Sequence, residues 1–266
     1  MSENLAKEWK NHVGPKRALK TVFYAIIIAA LVVSLRNIEI IPEFLKDTPE
    51  QLMDLFRRMW PIDVKFLWGF VAPSILETIH IATLGTIATL IITFPLAVLG
   101  SKNIVRNEGI RYVMKFIFVA SRSVNSLIWA LFYVAVFGPG PVAGVMAIMS
   151  RSIGFVGKLL SEAIEESSRN QIEAVISVGA PPVSVFLKGF WPQIRPSFLS
   201  IALLRWDINI RETAVLGIVG AGGIGLLLES AIDVFHWPGV AAILLSIFVV
   251  VLLAEFLVTN LRKKVI

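Results

Sequence analysis

A chain of 266 residues that is 56% hydrophobic and only 17% charged, with mean hydropathy +0.77, is too apolar for a water-soluble domain and reads as a polytopic membrane protein. It has no cysteine, which excludes a disulfide frame and a thiolate metal site, and His12, His80 and His236 are too scattered to share a metal. The net charge of +6 does not point to nucleic acid, because the basic residues gather at the ends of apolar runs, where they set topology.

Residues 1 to 20 carry Lys7, Lys10, Lys16, Arg17 and Lys20 against Glu3 and Glu8, a basic cytoplasmic tail with some amphipathic helix character. Thr21 to Leu35 is the apolar centre of a first span; with Leu19 and snorkelling Lys20 and Arg36 it meets the roughly 17–20 residues a bilayer needs. The run lacks a small-x-small exit and continues as a full span, so it reads as an anchor rather than a cleavable signal. Between Asn37 and Ala72, residues Leu52, Leu55, Phe56, Met59 and Trp60 line one face of an interfacial helix, with Trp60 and Trp68 at headgroup level.

Ile75 to Gly100 is the second span, kinked at Pro95, with Glu77 and His80 one turn apart near its start. Met114 to Phe137 is the third and holds Arg122 and Asn125. Gly138-Pro139-Gly140-Pro141 turns tightly into the fourth, Val142 to about Leu160, which holds Arg151. Ser197 to Val219 is the fifth span and Val240 to Leu257 the sixth, with Gly220 to Pro238 as a loop between them. The expected architecture is all-α with six transmembrane helices: residues 1–70 form the tail, first span and interfacial helix, and residues 71–266 form the main transmembrane domain. No internal repeat is visible.

Basic residues fill the N-terminus, the second-to-third loop, the loop before the fifth span and the C-terminus, whereas the loops at Gly138 and Gly220 contain no Lys or Arg. The positive-inside rule places both termini in the cytoplasm. The first external loop, with Lys46, Arg57, Arg58 and Lys65, is an exception to that bias.

The loop at residues 171–196 stands apart, being short, mixed and punctuated. Asn170 and Glu173 read as a capping box. Ile172, Val175, Ile176 and Gly179 follow at helical spacing, and Gly179 ends the helix. Pro181-Pro182 starts a second helix carrying Val183, Phe186, Leu187 and Phe190, which Pro192 closes. Two short amphipathic helices joined by a bend suit docking into a groove on another protein, or packing on their own bundle.

Charges inside the fifth span are costly unless partnered. Arg205 lies about 12 Å into it at the usual helical rise. Asp207 and Arg211 stand at i, i+4, and Arg205 and Glu212 at i, i+7 on a similar face. They either pair internally to fix helix packing or lower the barrier for an anion in a wet path, and Arg122 and Arg151 could join either arrangement. Gly220, Gly222 and Gly225 match G-x-G-x-x-G by letter only: no strand precedes them, so with Gly223 they read as a packed, hinge-like connection. There is no P-loop, and no hydrolytic triad or metal-ligand set stands out, so neither a catalytic residue nor a cofactor is expected in the chain.

Glu173-Ala174, then Gly179-Ala180, then Pro192 resembles the EAA loop of bacterial ABC-importer permeases. Ser121-Arg122-Ser123 before Trp129-Ala130-Leu131-Phe132, Phe137 to Val145, Gly157 to Glu165, and Leu204 to Arg211 continuing through Val219 to Gly225 resemble the phosphonate ABC transporter permease family. Pro181-Pro182 departs from the polar pair of many EAA loops.

The resemblance implies a MetI-like type I importer fold in a bacterial plasma membrane, with the EAA loop as coupling helix. It implies a homodimeric pore, two ATPase subunits that bind ATP and Mg, and an extracytoplasmic substrate-binding protein. The cargo it implies is a phosphonate, phosphite, hypophosphite or phosphate ester. Glu173, Ala174, Gly179, Ala180 and Pro192 would couple to the ATPase. A secondary anion transporter driven by an ion gradient, with Glu77, His80 and Asp207 as a proton relay, is the competing reading.

Overall fold

The computed structural model describes the backbone of residues 2–37 and 42–265 and the side chains of residues 19–37 and 46–264. The tail charges Lys7, Lys10, Lys16 and Arg17, with Glu3, Glu8 and His12, lie outside the described side chains. Among the described residues every regular element is helical. The chain divides into two compact units, Met1–Phe56 and Arg57–Ile266.

In the first unit, α1 (Ser2–Asn37) joins the tail and the first span in one helix, and its Leu19–Asn37 part is long and apolar enough to cross a membrane. Helix α2 (Pro42–Met59) begins there and presents Leu52, Met53 and Phe56 outward.

The second unit is built around α7 (Pro141–Glu165). Packed on α7 are α4 (Ala72–Gly100), α5 (Glu108–Ser123), α6 (Ser126–Phe137) and α10 (Trp191–Leu216), and α12 (Trp237–Val265) lies against α10. Small residues let these helices approach. A Cβ on Gly154 would strike the Phe118 carbonyl, one on Gly157 the Phe118 ring, and one on Gly144 the Ala221 carbonyl.

The second span is longer than the sequence reading. Helix α3 (Val64–Phe66), a π-helical turn (Leu67–Val71) and α4 run on as one 37-residue helical segment. A second π turn (Phe186–Phe190) lies between α9 (Pro182–Val185) and α10. Each π turn ends two residues before a proline, Pro73 or Pro192. The wider turn makes room for a ring that would strike the carbonyl four residues back in a regular helix. Pro192 therefore does not close the second coupling helix, as the spacing suggested; that helix flows into the fifth span.

Two further expectations need correction. The third span is not one helix: α5 and α6 meet at 88° across Val124-Asn125. Asn125 caps α6, its Oδ1 accepting from Leu127 N–H at 3.0 Å, and Trp129 Nε1–H reaches the Ser121 carbonyl at 3.4 Å. Such partners are what allow a break at membrane depth. The loop after the fifth span holds a ten-residue helix, α11 (Ile224–Asp233), capped from another helix. Among the described residues, length and composition give five candidate spans, and a sixth if α5 and α6 count as one.

Candidate functional site

The elbow before the fifth span is made by α8 (Arg169–Ser177) and α9. Its N-cap is Ser168, not Asn170, and no capping box forms; instead Ser168 N–H donates to Gln193 Oε1 at 2.8 Å, while Gln193 Nε2–H donates to the Gly189 carbonyl at 2.6 Å. Sequence reading missed Gln193 because its partner is 25 residues away. Gly179 follows the end of α8 with φ +73°, and Pro181 and Pro182 are the cap and first residue of α9.

One face of the elbow is buried: Ile172 packs with Ala97, Leu160, Ile164, Phe190 and Ile194. Phe94 of α4 meets the rings of Phe186, Trp191 and Phe198 at 5.8–6.0 Å. The other face is open, with Glu173 and Ala174 exposed beside apolar Ile176, Val178, Val183 and Leu187. Nearby, Asn103 Nδ2–H donates to the Ile164 and Glu165 carbonyls at 3.2 and 2.9 Å, closing the end of α7.

The fifth-span charges form both pairs that their spacing suggests. Arg205 Nη2 lies 3.3 Å from Glu212 Oε2, and Arg211 Nη2 bonds Asp207 Oδ2. Glu212 Oε1 also holds Arg151 Nε of α7 at 3.3 Å. Arg205 Nε–H donates to Ser152 Oγ at 2.8 Å, Ser152 donates to Asn209 Oδ1 at 3.3 Å, and Asn209 Nδ2–H donates to Thr86 Oγ1 of α4 at 2.8 Å. This network ties three spans together. Ser152, Asn209 and Thr86 were missed; their signal is a neutral polar residue on the buried face of an apolar helix.

The side-chain exposures separate the arginines: 3% for Arg205, 32% for Arg151 and 45% for Arg211. Arg205 and Arg151 share the single carboxylate of Glu212, so that trio keeps one positive charge, whereas Arg211 is matched by Asp207, with Glu255 also near that pair. Arg122 makes none of these bonds; it is exposed in the last turn of α5, beside the break.

At the opposite end from the elbow, Glu77 does not turn to His80. Its Oε1 accepts from Gly223 N–H at 3.1 Å, and Thr78 Oγ1 accepts from Ile224 N–H at 2.8 Å, so α4 caps α11. Gly220, Gly222 and Gly223 have positive φ, and Gly140 N–H donates to the Gly220 carbonyl at 2.9 Å, joining the two loops that lack basic residues. A Cβ on Gly225 would strike the Ala214 carbonyl. These glycines permit close backbone packing. Among the described residues no cluster of His, Asp and Glu could hold a metal.

Comparison with known proteins matches residues 93–266 to the family described as binding-protein-dependent transport system inner membrane component. The phosphite transport system permease protein PtxC of Stutzerimonas stutzeri is 34% identical over 203 residues, 76% of this chain and 74% of that protein. The phosphate-import permease protein PhnE of Mycolicibacterium smegmatis is 33% identical over 236 residues, 88% of this chain but 44% of that longer protein. A chain of the MetNI methionine ABC transporter, solved in inward-facing conformations, superposes with TM-score 0.68 at 20% identity, covering 77% of this chain and all of that one. The elbow, the spans and these matches agree: the chain belongs to the family of binding-protein-dependent transport system inner membrane components, the permeases of ABC importers.

Proposed function

We propose that the chain is the translocating subunit of an ATP-driven importer for a small phosphorus oxyanion of the phosphonate or phosphite class. Two copies form the path, two separate ATPase subunits bind ATP and Mg, and an extracytoplasmic binding protein delivers the cargo. The subunit lies in a bacterial plasma membrane with both termini cytoplasmic. The relatives that move phosphite and phosphate support the substrate class. The Arg262 Nη2–H bond to the Ser200 carbonyl at 3.5 Å supports a C-terminus on the elbow's side.

The observation that carries this reading is the elbow, with one face locked under α4 and α7 and an apolar face left open. ATP closes the ATPase dimer and draws the two elbows together. Because α9, the π turn and α10 are continuous, that displacement passes into the fifth span as a lever. Glu173, Ala174, Gly179 and Ala180 meet the ATPase, and Pro192 sets the lever's angle. Arg205 fixes packing, while Arg151 and Arg211, with Asp207 and Glu212 beside them and Arg122 nearby, give the path its positive field. The turn at Gly220, Gly222, Gly223 and Gly225 re-forms as the outer end opens.

The test is reconstitution in proteoliposomes with its ATPase and binding-protein partners. ATP-dependent phosphite uptake, with ATPase activity raised by the loaded binding protein, is expected. Uptake that follows an ion gradient without ATP would establish a secondary transporter instead.

A further inference from the structure

Outside the fifth-span network, a cleft of about 270 Å³ opens between α5 and α7, lined among others by Lys115, Arg122, Lys158, Ser161, Glu162 and Glu165. Helical spacing explains the lining. Lys115 and Arg122 are seven residues apart on α5, and Arg151, Lys158 and Glu165 repeat at the same interval on α7. The close approach of Phe118 to Gly154 and Gly157 brings the two rows together.

Both acids in the cleft are engaged. Glu165 Oε2 is 3.2 Å from Lys102 Nζ, its Oε1 accepts from Lys102 N–H at 3.0 Å, and Glu162 Oε1 is 3.6 Å from Lys158 Nζ. Lys115 lies near enough to Glu165 to act on its charge, but neither Lys115 nor Arg122 forms an ion pair at contact distance among the described residues, and both are exposed. A row of cations along membrane-spanning helices is costly against hydrocarbon and persists where water or an anion meets it. Arginine and lysine donors around a small cleft match a tetrahedral phosphorus oxyanion in charge and in hydrogen-bond type.

We propose that this cleft binds a phosphate-type oxyanion, with Lys115, Arg122 and Lys158 as donors. It lies on the elbow's side of Arg151, about 10 Å along α7 from that residue at the helical rise. A transported anion would meet it after the fifth-span cluster. That order rests on the proposed function; the chemistry of the site does not. The same chemistry is offered by a free ion and by the headgroup of an anionic lipid.

The absence of native cysteine allows one introduced thiol to report occupancy. Val119, 55% exposed and also lining the cleft, is replaced by Cys in the full chain, purified with its bound subunits into phosphatidylcholine nanodiscs. Inorganic phosphate, but not chloride at equal ionic strength, should slow maleimide labelling. Adding Arg122→Gln or Lys158→Gln should weaken that protection about tenfold, the scale of one lost hydrogen bond to a charged group, whereas Arg122→Lys should retain most of it.

Slow labelling in phosphatidylglycerol nanodiscs without phosphate, reversed by the Gln variants, would support the site with lipid as the source. Equal labelling under all conditions, or protection indifferent to the Gln variants, would overturn the proposal. Uptake measured on the same proteins reconstituted in proteoliposomes separates the two claims: lost uptake with intact protection sinks the transport reading alone.

Discussion

Arg205 and Glu212, two turns apart on α10, are joined at 3.3 Å, and the second oxygen of Glu212 reaches Arg151 on α7 at the same distance. One carboxylate thus serves two guanidiniums inside the membrane-spanning bundle. Removing it leaves Arg205 buried without a carboxylate, whereas Arg151 is part-exposed. Glu212→Ala should cost about 3 kcal/mol or more, the scale for breaking a buried pair from one side. Replacing Arg205 and Glu212 together with Leu should cost less than the single variant. Thermal denaturation of the purified complexes gives both values, and a non-additive cycle marks the pair.

Gly179 stands at φ +73° with open space where a side chain would go. Strain, not collision, therefore ranks its variants. Gly179→Asn should be mildest, since Asn tolerates the left-handed region, and Gly179→Ala should cost about 1 kcal/mol. Gly179→Asp adds a charge to the docking surface and should uncouple ATP hydrolysis from uptake. Assaying both activities on each variant checks the order.

Gly157 lets the Phe118 ring lie against α7. Gly157→Ala should destabilise the bundle by about 1–3 kcal/mol through overpacking, and Phe118→Leu should restore part of that loss. The yield of monodisperse protein and its melting temperature provide the comparison.

Glu77 and Thr78 cap α11 from α4. Glu77→Gln keeps an acceptor and should be nearly silent, whereas Glu77→Ala should cost about 1 kcal/mol, as cap removal does. Hydrogen exchange at Gly223 should rise in Glu77→Ala and not in Glu77→Gln.

What the sequence disclosed was local. The i, i+4 and i, i+7 pairs of α10, the stop at Gly179 and the restart at Pro182 are each set within a few residues, and each appears in the structure. What it concealed depends on distant partners. The break at Asn125 falls in the polar stretch Ser121 to Ser126 between two apolar runs, a signal that a count of total span length passes over, and the bond that spans it joins Trp129 of α6 to Ser121 of α5. Helix α11 is capped from 146 residues away. Helix α8 begins earlier than the Asn170 cap implies, with Ser168 at the cap position and its N–H held by the distant Gln193. Arg122 and Arg151 looked equivalent as single charges, and only packing shows that one pairs with Glu212 while the other lines the α5–α7 cleft.

The most direct test of the account uses Val178, 80% exposed at the tip of the elbow, in a chain with no other thiol. Val178→Cys should be labelled by a membrane-impermeant maleimide only in inside-out vesicles and should cross-link to the ATPase subunit of the assembled complex. Labelling from the outer face of intact cells, or a purified complex in which this thiol reaches no ATPase, would contradict it.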